Sequence, residues 1–176
     1  MIQTDAIVFN TSALFERDLI VELFTQSCGR IRAFAKYAQS NKPRYGGGLT
    51  TFTLIHLGLI QRRTSYTISQ VQAIQAFPII KATYERLAAA YNIISVAQAI
   101  SPLDMENASL FAIIKHTLAR LNDDEDVPSL MNGFYGAVLK NEGVLKQADL
   151  SDEAYRTMIE SYTGVSLRRA LSPIHD

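Results

Sequence analysis

The spacing of apolar residues changes period at Phe77-Pro78, and this break constrains the fold more than any other feature of the 176-residue chain. Before it, β-branched and aromatic residues come in short runs separated by turn formers, the pattern of strands. Five strands are predicted: Thr4 to Thr11, Asp18 to Thr25, Arg30 to Tyr37, Leu49 to Gln61 and Ser65 to Ile74. Ser27-Cys28-Gly29 makes a tight link in which Gly29 is free to take positive φ. Five short strands with little helix fit a small closed barrel, because closure removes exposed edges. After the break the period is helical. Ile80, Tyr84, Leu87, Tyr91 and Ile94 form one stripe, and Leu110, Ile113, Ile114, Thr117, Leu118 and Leu121 a second, with Pro102 between them. A third helix should start at Pro128 and end near Gly143. A fourth should open at Ser151, carry Tyr155, Met158, Ile159 and Tyr162 on its apolar side, and stop at Gly164. The expected class is α+β: a five-stranded barrel over residues 1–78 and an all-α helical domain over 79–176.

Hydrophobic residues make up 48% of the chain, enough to bury a core. The net charge is zero, yet it conceals an asymmetry. No acidic residue lies between Glu22 and Glu85, whereas Arg30, Arg32, Lys36, Lys42, Arg44, Arg62, Arg63 and Lys81 do, so that interval carries +8. The flanks carry −3 and −5. An anion-binding first half joined to a second half with another task is the reading this favours over a merely solvated basic face.

In the third strand Arg30, Arg32, Phe34 and Lys36 share one face, and Ile31, Ala33, Ala35 and Tyr37 the other. Cations with an aromatic inset suit a single-strand binder, in which charge neutralises phosphates and a ring stacks on an unpaired base. Phe34 could equally pack at a barrel seam. The segment Gln39 to Gly48 adds Lys42, Arg44, Tyr45 and three glycines, and Arg62-Arg63 extends the positive surface. No Gly-Lys-Ser or Gly-Lys-Thr follows those glycines, so nucleotide hydrolysis has no support.

Catalysis and metal binding find little material. His56, His116 and His175 are scattered without ligand spacing, and Cys28 is the only cysteine, which excludes a thiolate zinc cluster and an internal disulfide. His56 reads as a strand histidine with a satisfied ring and Cys28 as a small turn residue. Asp123 to Asp126 lacks the glycine and terminal glutamate of a calcium loop and reads as a solvated helix approach. The N-terminus has neither a basic leader nor a long apolar run, so a cytoplasmic chain with no membrane span, no cofactor, no metal and no catalytic residue is expected.

The ordered set Ala6-Ile7-Val8, Glu16-Arg17-Asp18-Leu19-Ile20-Val21, Leu23-Phe24-Thr25, Gly29-Arg30-Ile31, Phe34-Ala35-Lys36, Gly47-Gly48-Leu49 and Phe52-Thr53-Leu54 resembles the N-terminal domain of the RecO recombination mediators. Pro78 and Glu85 to Tyr91 look like the first interdomain helix of that family. The resemblance implies an oligonucleotide/oligosaccharide-binding (OB) barrel, and a non-enzymatic role in bacterial recombinational DNA repair near the nucleoid. It also implies binding of single- and double-stranded DNA, strand annealing, and work with RecR and single-strand binding protein to help RecA load. The acidic C-terminal tail of single-strand binding protein would dock among the helices, with Lys115, Arg120, Lys140 or Lys146 as candidate cations. Three departures stand out: Tyr37 replaces a common glycine, the zinc-binding cysteines are absent, and the C-terminal half is short. An RNA-binding barrel or a protein-interaction adaptor are the alternatives that charge alone leaves open.

Overall fold

The computed structural model describes residues 1–39, 45–123, 126–145 and 150–168. Five strands, β1 (Ile2–Ala13), β2 (Leu19–Thr25), β3 (Gly29–Ala35), β4 (Leu54–Arg62) and β5 (Ser65–Gln75), close into a barrel in the order β1-β2-β3-β5-β4. All neighbours are antiparallel except β3 and β5, which run parallel with Ala33 opposite Tyr66 and Phe34 opposite Thr67. A short 3-10 turn (Pro78–Lys81) leads to helices α1 (Tyr84–Ile100), α2 (Ala108–Asn122), α3 (Val127–Asn141) and α4 (Asp152–Thr163). Two compact units result: Met1–Ala76 with Ser101–Phe111, and Phe77–Ile100 with Ala112–Asp176. The barrel unit thus takes in a stretch from beyond the first long helix. Among the described residues no helix is long and apolar enough to cross a membrane.

The barrel interior follows from strand alternation. Ala6, Val8, Val21, Leu23, Ile31, Ala33, Ala35, Ile55, Leu57, Leu59 and Ile68 point inward and form one apolar cluster. At the β2–β3 turn Gly29 stands at φ +68, as the turn demands, and a Cβ there would lie 1.8 Å from the Met105 carbonyl oxygen. The Thr25 hydroxyl closes the turn, accepting from the Cys28 N–H and donating to the Gly29 carbonyl, both at 2.9 Å.

The first strand is two residues longer at each end than the expected Thr4 to Thr11, and two further limits differ for reasons of backbone conformation. The third strand stops at Ala35, because Tyr37 takes φ +60 and leaves the extended region. The fourth begins at Leu54, not Leu49, because buried Phe52 takes φ +70 and its N–H donates to the Val8 carbonyl at 2.9 Å, which turns the chain before pairing begins. In the helical unit the expected stripe is buried only at its ends, Ile80 and Ile94. Tyr84 is exposed and Tyr91 half-buried, while Ala88, Ala89, Ala90, Ile93, Ile94, Val96 and Ala97 are buried, since small side chains let neighbouring elements come close. In α4 Ile159 is buried but Tyr162 is exposed, its hydroxyl donating to Glu142 Oε2 at 3.2 Å. Gly164, at φ +70, ends that helix as expected.

Candidate nucleic-acid interface

Along β3 burial alternates as the sequence requires. Ile31, Ala33 and Ala35 are in the core, Arg32 is exposed, and Arg30 and Phe34 are half-buried on the outer face. The parallel pairing of Ala33 with Tyr66 brings the β4–β5 turn to the level of Arg32. That turn carries Arg62 and Arg63, both exposed, with Arg63 at φ +47, the sign that two-residue hairpins need. Arg32, Arg62 and Arg63 therefore lie together towards one end of the barrel. Lys36, exposed just past the end of β3, continues the cationic line towards the other end. Half-buried Phe34 sits across from Ile20 on β2 and Thr67 on β5.

Arg30 is placed differently. Its Nη1 donates to Glu22 Oε1 at 3.2 Å and its Nε to the Ser101 carbonyl at 2.8 Å, and its side chain is only 16% exposed against 12% for Glu22. Its own carbonyl accepts the Asp104 N–H at 2.9 Å, and a β-bridge joins it to Leu103. Beside it, outward-facing Phe24 is buried in a run of rings, 5.5 Å from Phe9 and 6.5 Å from Phe111. Ser101–Phe111 thus forms a strap over the outer face where β3 begins, and Arg30 is a tie between strap and barrel.

Tyr45 also departs from its expected place on the surface. It is 5% exposed, belongs to the barrel core, and donates its hydroxyl to the Ile68 carbonyl at 3.1 Å, so its ring offers no face for stacking. Tyr37 is 55% exposed and open. Lys42 and Arg44 lie outside the described residues. His56 has the partner a strand histidine needs: its Nδ1 is 2.7 Å from Oδ1 of Asp5, its cross-strand neighbour on β1. No group of three or more His, Cys, Asp or Glu side chains placed to hold a metal occurs among the described residues.

Sequence reasoning missed the strap, since its contacts join Arg30 to residues about 70 positions away. It also missed Glu22. The signal was present: this last acid before the acid-free interval faces outward on β2, directly opposite Arg32 and diagonal to Arg30.

In the helical unit, Ile113, His116, Thr117, Arg120, Leu130, Gly133 and Phe134 line a groove of about 290 Å³ between α2 and α3. Of the candidate cations among the described residues, Arg120 borders it. Lys115 and Lys140 are exposed elsewhere on α2 and α3, and Lys146 lies outside the described residues.

A closed five-stranded barrel in this order, followed by helices, defines an OB-fold domain with a helical extension. Residues 1–77 match the family described as "Recombination protein O N terminal". The resemblance that the ordered residues of the first half carry is thereby supported: residues 1–77 form a domain of the RecO N-terminal type. It is similar to the DNA repair protein RecO of Pelotomaculum thermopropionicum, with 30% identity over 75% of this chain and 51% of that protein. The RecO of Thermoanaerobacter sp. (strain X514) is 25% identical over 79% of this chain and 56% of its own length. For the RecO of Alkaliphilus metalliredigens the values are 23%, 82% and 59%. The chain spans about half the length of these curated relatives.

Proposed function

We propose that this chain is a non-enzymatic, DNA-binding recombination mediator of DNA repair. Its barrel holds the phosphates of single or double strands through Arg32, Lys36, Arg62 and Arg63, and stacks bases on the open part of Phe34. The observation that carries the reading is the exposed cationic line along β3 and the β4–β5 turn, on the outer face of a RecO-type barrel. Phosphate neutralisation releases counterions and supplies affinity without base sequence. No bond is broken. Bringing two strands, or a strand and its coating protein, onto one molecule raises their local concentration and so promotes annealing or exchange.

The partners we assign are single-strand binding protein, RecR and, indirectly, RecA. The α2–α3 groove supports the first of these: its walls are apolar and its rim carries His116 and Arg120, which suits an acidic tail ending in an aromatic residue. Arg30 and Tyr45 are left out of the strand-binding set because of their burial and their bonds within the barrel unit.

Titration of labelled single-stranded and duplex DNA at several salt concentrations tests the reading. With each of these four cations neutralising one single-strand phosphate, log K should fall against log[salt] with a slope of about −2.8. A slope of zero would remove it, and preference for RNA over DNA of equal sequence would redirect it.

A further inference from the structure

We propose that Phe15 and Tyr37 form a stacking platform for unpaired bases, at the corner of the barrel where the β1–β2 loop meets the chain leaving β3. The proposal rests on the nucleic-acid reading above and narrows it to strands whose bases are open. The corner is built by two backbone bonds and one backbone-to-side-chain bond. The Leu14 N–H donates to the Asp18 carbonyl at 3.0 Å and closes Leu14–Asp18 into a tight loop. The chain after β3 is fastened to that loop twice: the Tyr37 N–H donates to Asp18 Oδ1 at 2.9 Å, and the Gln39 N–H to the Arg17 carbonyl at 3.1 Å. Phe15 and Tyr37 are thereby carried on two segments tied to each other, and both rings stay outside the core, Phe15 at 73% exposure.

Two independent features mark the platform as something other than packing. First, a large ring left in water at a loop tip gives no folding stability. Second, Tyr37 occupies φ +60, a region costly to any residue with a Cβ and free to glycine. A ring that is both exposed and held on strained backbone gains its use from what it touches. The chemistry of the surroundings selects the occupant. Lys36 and Arg17 are exposed beside the rings, and Phe34 and Arg32 continue the same line along β3. Flat faces next to separated cations match a single strand, whose bases stack while its phosphates pair. The β1–β2 loop is also one of the two loops that flank the ligand face in barrels of this class. Glu16, Arg17 and Asp18 leave the loop with one negative charge, which Lys36 offsets, so the platform contributes stacking and little counterion release.

The test uses the full chain and its variants Phe15→Ala, Tyr37→Gly and Tyr37→Phe, with labelled oligothymidylate and a duplex of equal phosphate number, each at several salt concentrations. Phe15→Ala and Tyr37→Gly should each weaken the single strand about fivefold or more and the duplex less than about twofold. The salt slope should stay unchanged, and Tyr37→Phe should bind as the parent does. Tyr37→Gly should also raise the thermal midpoint, because strain is relieved and no packing is lost. Equal losses on both nucleic acids, no loss on either, or a lowered midpoint for Tyr37→Gly would overturn the platform. If the parent shows no salt-dependent affinity for either nucleic acid, the nucleic-acid reading fails and the platform with it. If the parent binds with the expected slope and the variants are silent, only the platform fails.

Discussion

At the start of β3 Arg30 is spent on the protein itself, bonded to Glu22 and to the Ser101 carbonyl, whereas two residues on Arg32 stands exposed beside the Arg62-Arg63 turn. Both side chains leave the same face of one strand. What separates them is the strap Ser101–Phe111, which covers the first part of that face and stops short of the second. Under the strap, Phe9, Phe24 and Phe111 make a second apolar layer outside the barrel, and Arg30 supplies its polar edge. Strand alternation tells which side chains point outward, and coverage by distant chain decides which of those meet solvent.

The largest expected effect tests the alternation itself. Ile31→Glu buries an unpaired carboxylate in the barrel core and should cost more than about 3 kcal/mol, enough to unfold the barrel in a denaturant titration. Arg32→Gln, one residue on, should change stability by less than about 0.5 kcal/mol. Equal costs at the two positions would mean that the strand register is wrong.

Next in size is the contrast between the two arginines. Arg30→Ala leaves Glu22 without that partner at low exposure and the Ser101 carbonyl without its donor, so a loss of about 2–3 kcal/mol is expected. The double variant Arg30→Ala/Glu22→Gln should recover part of this, a coupling that a double-mutant cycle measures. An Arg30→Ala protein of full stability but weakened DNA affinity would place Arg30 with Arg32 after all.

A smaller effect comes from the strap's Asp104. Burial pushes the Tyr66 hydroxyl above its ordinary pKa of 10.0, and the nearby Asp104 charge, the Cys28 thiol and a hydrogen bond to Asp104 push it further the same way. Because the folded value is raised, the unfolded chain loses this proton first. Stability from the group is complete below about pH 10 and falls as pH rises past it. Tyr66→Phe should flatten that alkaline loss, and Asp104→Asn should reduce it, in denaturation midpoints measured between pH 9 and about 11.

Most of the barrel was legible in the sequence because each strand is half-buried, so its period of two is written in residue type. Two of the strand limits that failed, at Tyr37 and Phe52, are set by residues at positive φ that no propensity announces. The helical elements were legible in extent, but the buried side of α1 was not. Its alanines read as neutral, while Tyr84 and Tyr91 looked like a core stripe. At the candidate site, the outward placement of Arg32, Phe34, Lys36, Arg62 and Arg63 was legible from alternation and turn position. The burial of Tyr45 and the capture of Arg30 were not, because both depend on contacts between residues far apart in sequence.

The smallest effect on folding, and the sharpest on the comparison, is expected when the open cations are removed one at a time. Arg32→Gln, Arg62→Gln and Arg63→Gln should each leave stability within about 0.5 kcal/mol and make the single-strand salt slope shallower by about 0.7, one phosphate contact per residue. If each of the three sites meets its own phosphate, their effects on the slope should add to about 2. Arg30→Gln should leave the slope unchanged even where it lowers the midpoint of unfolding, since its guanidinium is already neutralised by Glu22 and releases no counterion on binding. Measured on one set of proteins, slope and midpoint therefore separate the two arginines along independent axes. A slope that falls for Arg30 as it does for Arg32 would show that DNA displaces the strap, and the covered part of the face would then belong to the binding surface.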